Sequence, residues 1–126
     1  MATIAEKAKV DSVQVIRTVD GKKAMPTVQL LVCIGERQIE VSGCGEDLDK
    51  ATLRAMAEAV LRLDESGIPK VWKMKCVRTK DGHRAEVVLL RDGHLKTGKY
   101  KVLGHGETER LTGIAMAYAR ALNRLN

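Results

Sequence analysis

The sequence predicts an α+β fold built from two tandem βββα units related by a pseudo-two-fold, with antiparallel strands and the helices packed on one side. Three observations predict it. The stretch R-T-V-D-G-K-K-A at 17–24 returns as R-T-K-D-G-H-R-A at 78–85, an offset of 61. The loop G-C-G-E at 43–46 returns as G-H-G-E at 104–107 with the same offset, so this span stays in register without a gap, and the offset slips to 60 in the helices that follow. Each loop is followed by an alanine-rich helical pattern, A-M-A-E-A-V-L from Ala55 and A-M-A-Y-A-R-A-L from Ala115. Two copies are too few for a solenoid, in which units stack along one axis. The expectation is therefore a single domain, 1–126, made by internal duplication of units at about 10–67 and 71–126, with one shared core.

The first unit opens with a leader, residues 1–9. Val13 to Val19 alternates as a strand except at Ile16, and Asp20-Gly21 is a two-residue hairpin signal. A second strand is expected from Ala24 to Ile34, with Pro26 tolerated near its start. Gly35-Glu36 turns the chain, and Arg37 to Ser42 alternates with Ile39 and Val41 on one face. Gly43-Cys44-Gly45 then leads into a helix from about Glu46 to Asp64. Its first turn carries Glu46, Asp47 and Asp49, the charge sign a helix N-terminus favours. Leu48, Ala51, Ala55, Ala59 and Leu63 recur at helical spacing and should face the sheet.

The joint between units is D-E-S-G-I-P at 64–69, where Gly67 stops the helix and Pro69 blocks its continuation. The second unit repeats the order. Val71 to Thr79 reads as a strand with Trp72, Met74 and Cys76 on one face and Lys73, Lys75 and Val77 on the other. Asp81-Gly82 turns it, and Arg84 to Leu90 returns. Asp92-Gly93 and Thr97-Gly98 are expected to bracket a hairpin loop, with Lys99 to Leu103 closing the sheet. The last helix spans Glu107 to Leu125, with Leu111, Ala115, Tyr118, Leu122 and Leu125 as its buried stripe.

Composition limits the functional classes. Hydrophobic content of 44% with 30% charged residues belongs to a globular chain, not a disordered one. No apolar run approaches a membrane span, and no basic segment leads into an apolar run at the N-terminus. A cytoplasmic location without membrane contact is the expectation. Three widely spaced cysteines, Cys33, Cys44 and Cys76, form no disulfide framework. The net charge of +6 is unevenly held: residues 1–67 carry 9 basic and 11 acidic side chains, residues 68–126 carry 13 and 5. The units share a pattern but not a surface.

A pair of βββα units, each with a glycine loop leading into an alanine-rich helix, resembles the C-terminal regulatory domain of 2-isopropylmalate synthase. That family's second helix commonly contains A-Y-x-x-A-[IL]-N, matched here from Ala117 through Tyr118 to Asn123. Gly43, Gly45 and Ala51 match the G-x-G and helix of its first unit. The catalytic barrel of the family has no counterpart in these residues. The resemblance thus implies a free-standing relative of the regulatory domain, binding a small amino-acid-like ligand and forming a homodimer or joining a partner protein. The ligand-binding residues it points to are Gly43, Cys44, Gly45, Gly104, His105, Gly106 and Tyr118.

Read from chemistry alone, the two glycine loops present amides at a helix start, where an anion can sit. The acids that follow, Glu46, Asp47 and Asp49 in one and Glu107 and Glu109 in the other, oppose that, and a tight turn explains the glycines as well. Cys44 corresponds to His105 and Cys33 to His94 under the repeat, so a two-fold brings Cys44 and His105 together in principle. One site holding all four is excluded by distance, because Cys33 and Cys44 stand roughly 30 Å apart along an extended strand. The expectation is no catalytic residue, no metal and no cofactor: not an enzyme. The alternative to a ligand-sensing domain is a nucleic-acid-binding module. Lys73, Lys75, Lys99 and Lys101 alternate with apolar residues and fall on the face away from the helices, with Arg84 joining them and Arg78 and Lys96 near enough to do so. The sequence offers no exposed aromatic pair on that face for base stacking.

Overall fold

The computed structural model describes residues 9–21, 24–63 and 67–125. Strands β1 (Ser12–Gly21), β2 (Ala24–Ile34) and β3 (Arg37–Cys44) form one antiparallel sheet in that order, and α1 (Leu48–Leu63) follows. Strands β4 (Lys70–Arg78), β5 (Gly82–Arg91) and β6 (His94–Leu103) form a second sheet of the same order, followed by α2 (Glu107–Leu125). The duplicated βββα architecture expected from the sequence is the architecture of the molecule. Residues 1–8 of the leader, the turn residues 22–23 and the first half of the joint, 64–66, lie outside the described residues.

The turns follow from residue chemistry. Asp92 and Gly93 both take positive φ (51° and 78°), the type I′ geometry that lets β6 turn straight back along β5. The strand accordingly resumes at His94, so the longer loop expected up to Thr97-Gly98 does not exist. Those two residues lie inside β6, paired with Val88 and Val87. Asp47 caps α1, its Oδ1 accepting from Lys50 N at 2.8 Å. This places the helix start at Leu48, slightly later than the expected Glu46.

Glycine inside a strand has a different purpose here. A Cβ on Gly98 would stand 2.0 Å from Ala117 O and 2.4 Å from Ala121 N, and one on Gly43 would stand 2.3 Å from Ala55 N. In each unit the last strand therefore lies against bare helix backbone, which alanines on the helix also permit. Gly43 is thus part of β3, and only Gly45 belongs to the loop before α1.

The helices differ in how much of them is covered. α1 is amphipathic, burying Leu48, Ala51, Thr52, Ala55, Met56, Ala59 and Val60. α2 is buried without interruption from Gly113 to Ala119, well beyond the single stripe the periodicity predicts. It packs on β5 and β6 and also against β1 and α1, so both units close one hydrophobic core over it. Asn123 fixes the crossing: its Oδ1 accepts from Val10 N at 2.9 Å and its Nδ2 donates to Val10 O at 2.8 Å.

The last strand of each sheet is covered by arginines from the helix that follows it. Arg54 and Arg62 of α1 donate to Cys44 O and Glu40 O on β3, at 2.9 and 3.0 Å. Arg120 and Arg124 of α2 donate to Lys99 O and Thr97 O on β6, at 3.0 and 2.8 Å. An unpaired strand edge is a template for unwanted pairing, and these guanidinium groups occupy its carbonyls.

Candidate functional site

The residues to which the sequence points around the glycine loops each engage their own unit. Gly43 and Gly45 face the α1 backbone. Tyr118 is fully buried in the core, its hydroxyl without a hydrogen-bond partner among the described residues. Burial pushes that hydroxyl far above the ordinary tyrosine range, an effect the positive charge of Arg91 only partly offsets. The side chain is a core element, and the match to A-Y-x-x-A-L-N reports helix packing. Cys44 is exposed at the end of β3 with Thr27 Oγ1 at 3.3 Å from its sulfur. His105 belongs to the other unit's loop, its Nε2 at 2.9 Å from Thr79 O and its ring set edge-on to His83 at 5.9 Å. Gly104 and Gly106 both lie beside the Glu109 side chain, and Gly104 takes φ +102°. The repeat makes Cys44 and His105 equivalent, but each is engaged with its own sheet.

What the pseudo-two-fold does bring together is the two helix starts. Arg110 reaches Asp49 Oδ1 of α1 at 2.5 Å as an ion pair and donates to Glu107 Oε1 on its own helix at 2.5 Å. Glu46, Asp47 and Asp20 surround the same depression. Its acidic lining makes an anion or carboxylate ligand unfavourable there. Among the described residues, no group of three or more His, Cys, Asp or Glu side chains is arranged to hold a metal ion. No described helix is long and apolar enough to cross a membrane.

Cysteine exposure yields a direct check on this placement. Cys44 is open to solvent, whereas Cys76 is half-buried and burial pushes its thiol up from the ordinary value. Thiolate is the reactive form. Under native conditions at neutral pH, iodoacetamide should therefore modify Cys44 well before Cys76, as read by peptide mass mapping over time. Equal rates would mean that Cys76 is not packed against the core.

The outer face of the second sheet is where charged side chains do converge. Register places Lys75, Glu86 and Lys99 in one row and Val77, Arg84 and Lys101 in the next. Lys73 lies beside Val88 and Thr97 in the row before them. All five basic residues are exposed, and Glu86 is the one acid in these rows. A depression of about 240 Å³ lies among Lys75, Val77, Arg84, Glu86 and Lys99. A second, of about 490 Å³, shares Glu86 and Lys99 and carries the track around β6 to Arg120 and Arg124. Both arginines use one nitrogen on β6 carbonyls and keep further donors for solvent or a ligand. Arg78 and Lys96 do not join: their register rows are those of His83 and Leu89, on the helix side.

The corresponding face of the first sheet carries Gln14, Leu31 and Glu40 in one row and Arg17, Gln29 and Ser42 in the next. It is polar with little net charge. The imbalance between the halves of the sequence is therefore concentrated on one sheet face.

One member of this face departs from strict alternation. Val71 pairs with Leu89 and Lys73 with Val88, so Trp72 is an extra residue, a β-bulge. Val71, Met74 and Cys76 pack against the core, while Trp72 is turned out, 58% exposed, and not on the face of Met74 and Cys76 as alternation predicts. The signal for it in the sequence is the pair Val71 and Lys73, which satisfy opposite faces only if Trp72 is left out of the count. Lys70 Nζ lies 6.0 Å from the centroid of the Trp72 ring. No protein-family model matches the chain, and no curated protein matches its sequence.

Proposed function

We propose that the chain is a non-catalytic binding module that holds the phosphate backbone of a nucleic acid across the outer face of its second sheet. One observation carries this reading. The strand register sets Lys73, Lys75, Arg84, Lys99 and Lys101 on a single exposed face against one carboxylate, Glu86, and the track continues to Arg120 and Arg124. A polyanion neutralised by such a row releases its counterions, which gives affinity that falls steeply with salt. Clustered like charges oppose folding through mutual repulsion, so a partner of opposite sign relieves them.

The test is fluorescence anisotropy with labelled nucleic acid across a salt series. Lys75→Glu combined with Lys99→Glu should weaken binding by at least tenfold. It should also flatten the dependence of log K on log salt, by about 0.7 for each phosphate of a single strand that is no longer neutralised. Both side chains are exposed, so thermal stability should hold. Unchanged affinity in the double variant would remove the proposal.

The regulatory-domain resemblance supports a second reading, a small-ligand-sensing or dimerisation domain. The shared core under α2 suits it, since two units already close on each other there. A thermal-shift panel of branched-chain amino acids separates the two readings. With Tyr118 buried and the depression between the helix starts lined by acids, we expect no shift with any of them.

A further inference from the structure

The basic track ends at an aromatic side chain that the core does not use. Strict alternation along β4 would leave either Trp72 or Lys73 on the outer face, but not both. The bulge places both there, an aromatic ring directly beside a cation. β1 has a bulge at Ile16 as well, with Ile16 and Arg17 both turned out, but under the repeat Ile16 corresponds to Val77 and not to Trp72. The bulge at this position and the ring it turns out belong to the second unit alone. Around it lie Lys70, Lys73, Leu90, Leu95 and Val88. Leu95 is 49% exposed, and Val88 is almost covered although it is not part of the central core. The face thus runs from a cationic end at Lys75, Lys99, Arg84 and Lys101 to an aromatic and aliphatic end at Trp72 and Leu95.

Resting on the nucleic-acid reading above, we propose that this face selects single strands, with an unpaired base stacked on Trp72 while the lysine rows hold the adjoining phosphates. Phosphates alone would be served by the cationic end. A base in a duplex hides its π-face in the stack, so an exposed indole gains nothing from it. An unpaired base offers that face freely, and stacking is tolerant of base identity. Lys70 above the ring adds a cation next to the stacked base, where the flanking phosphate passes. A purely acidic chain such as poly-glutamate would match the lysines but leave the indole and Leu95 without a counterpart.

Trp72 is the sole tryptophan of the chain, so its fluorescence reports on this position alone. The experiment is titration of the intact protein with poly(dT), with a duplex of equal length, with polyphosphate and with poly-glutamate. Poly(dT) should quench the emission and bind at least tenfold tighter than the duplex. Trp72→Ala should lower poly(dT) affinity roughly tenfold while leaving polyphosphate binding unchanged, and Trp72→Phe should recover most of the loss. Because the side chain is exposed, both variants should fold, as circular dichroism can verify. Duplex or polyphosphate binding as tight as poly(dT), without quenching, but abolished by Lys75→Glu with Lys99→Glu, would overturn the single-strand inference and leave the basic-face reading standing. Poly-glutamate binding as tightly as poly(dT) would overturn both, in favour of an acidic protein partner.

Discussion

Gly98→Val is expected to destabilise the protein by about 3 kcal/mol or more, the upper end for overpacking a core. The first carbon of any side chain at this position would meet Ala117 O at 2.0 Å and Ala121 N at 2.4 Å. Both are backbone atoms in the middle of α2, so no rotamer change can relieve the clash. The strand and helix would have to separate, and with them the packing of Tyr118 and Leu122 against the sheet. Urea denaturation followed by circular dichroism measures the loss. Gly93→Ala is the matched control, because nothing lies within 4 Å of its missing Cβ and only its φ of 78° is at stake. It should cost about 1 kcal/mol. A Gly98→Val protein no less stable than Gly93→Ala would mean that β6 and α2 are not in contact.

The same glycine marks what the sequence could and could not disclose. Next to Thr97 in a stretch already containing Asp92-Gly93, Gly98 reads locally as a turn residue. Its actual reason, the approach of a helix some twenty positions later, is a tertiary fact with no local signature. The repeat is more informative because it operates on the scale of a whole unit. An offset of 61 relating the Asp-Gly turns and the glycine loops specifies β-β-β-α twice and thereby the order of every element, although the middle turns, Gly35-Glu36 and Asp92-Gly93, are 57 positions apart. The lysine face is legible too, since alternation is a local property and Lys73, Lys75, Lys99 and Lys101 obey it. Trp72 escapes because a bulge breaks alternation by a single residue and reverses the inference for everything on one side of it.

Equivalence under the repeat is a weaker guide to sites. Cys44 and His105 match under the repeat although Cys44 ends β3 and His105 lies in the loop after β6, and matching positions in a pseudo-two-fold are near each other only if they lie near the axis. The helix starts do, as the Arg110–Asp49 pair shows, and the strand ends before them are directed to their own sheets. The two units agree in what builds the scaffold: strand glycines under helix alanines, and arginines over the last strand. They disagree on one sheet face, neutral in the first unit and cationic in the second. The shared βββα pattern does not require that difference, since the first sheet folds with a neutral face.

Tyr118 yields the second large effect, in a form that separates packing from polarity. Truncation to Ala should cost about 3–5 kcal/mol, as for other large aromatic side chains removed from a close-packed interior. Tyr118→Phe should behave oppositely. It keeps the ring and deletes a hydroxyl that is buried without a partner among the described residues, so stability should stay level or rise by up to about 1 kcal/mol. The pH dependence has a definite sign. Burial holds the folded-state hydroxyl well above the ordinary value, so the folded protein keeps its proton where the unfolded chain begins to lose it. The unfolded state then binds fewer protons, and stability must fall as pH rises past about 10. Below that value this contribution is fully present. Urea midpoints measured on both proteins from neutral pH into the alkaline range should therefore diverge only above it, with Tyr118→Phe losing less. Parallel curves throughout would show that the hydroxyl reaches solvent or a partner, and would make Tyr118 a side chain open to a ligand after all.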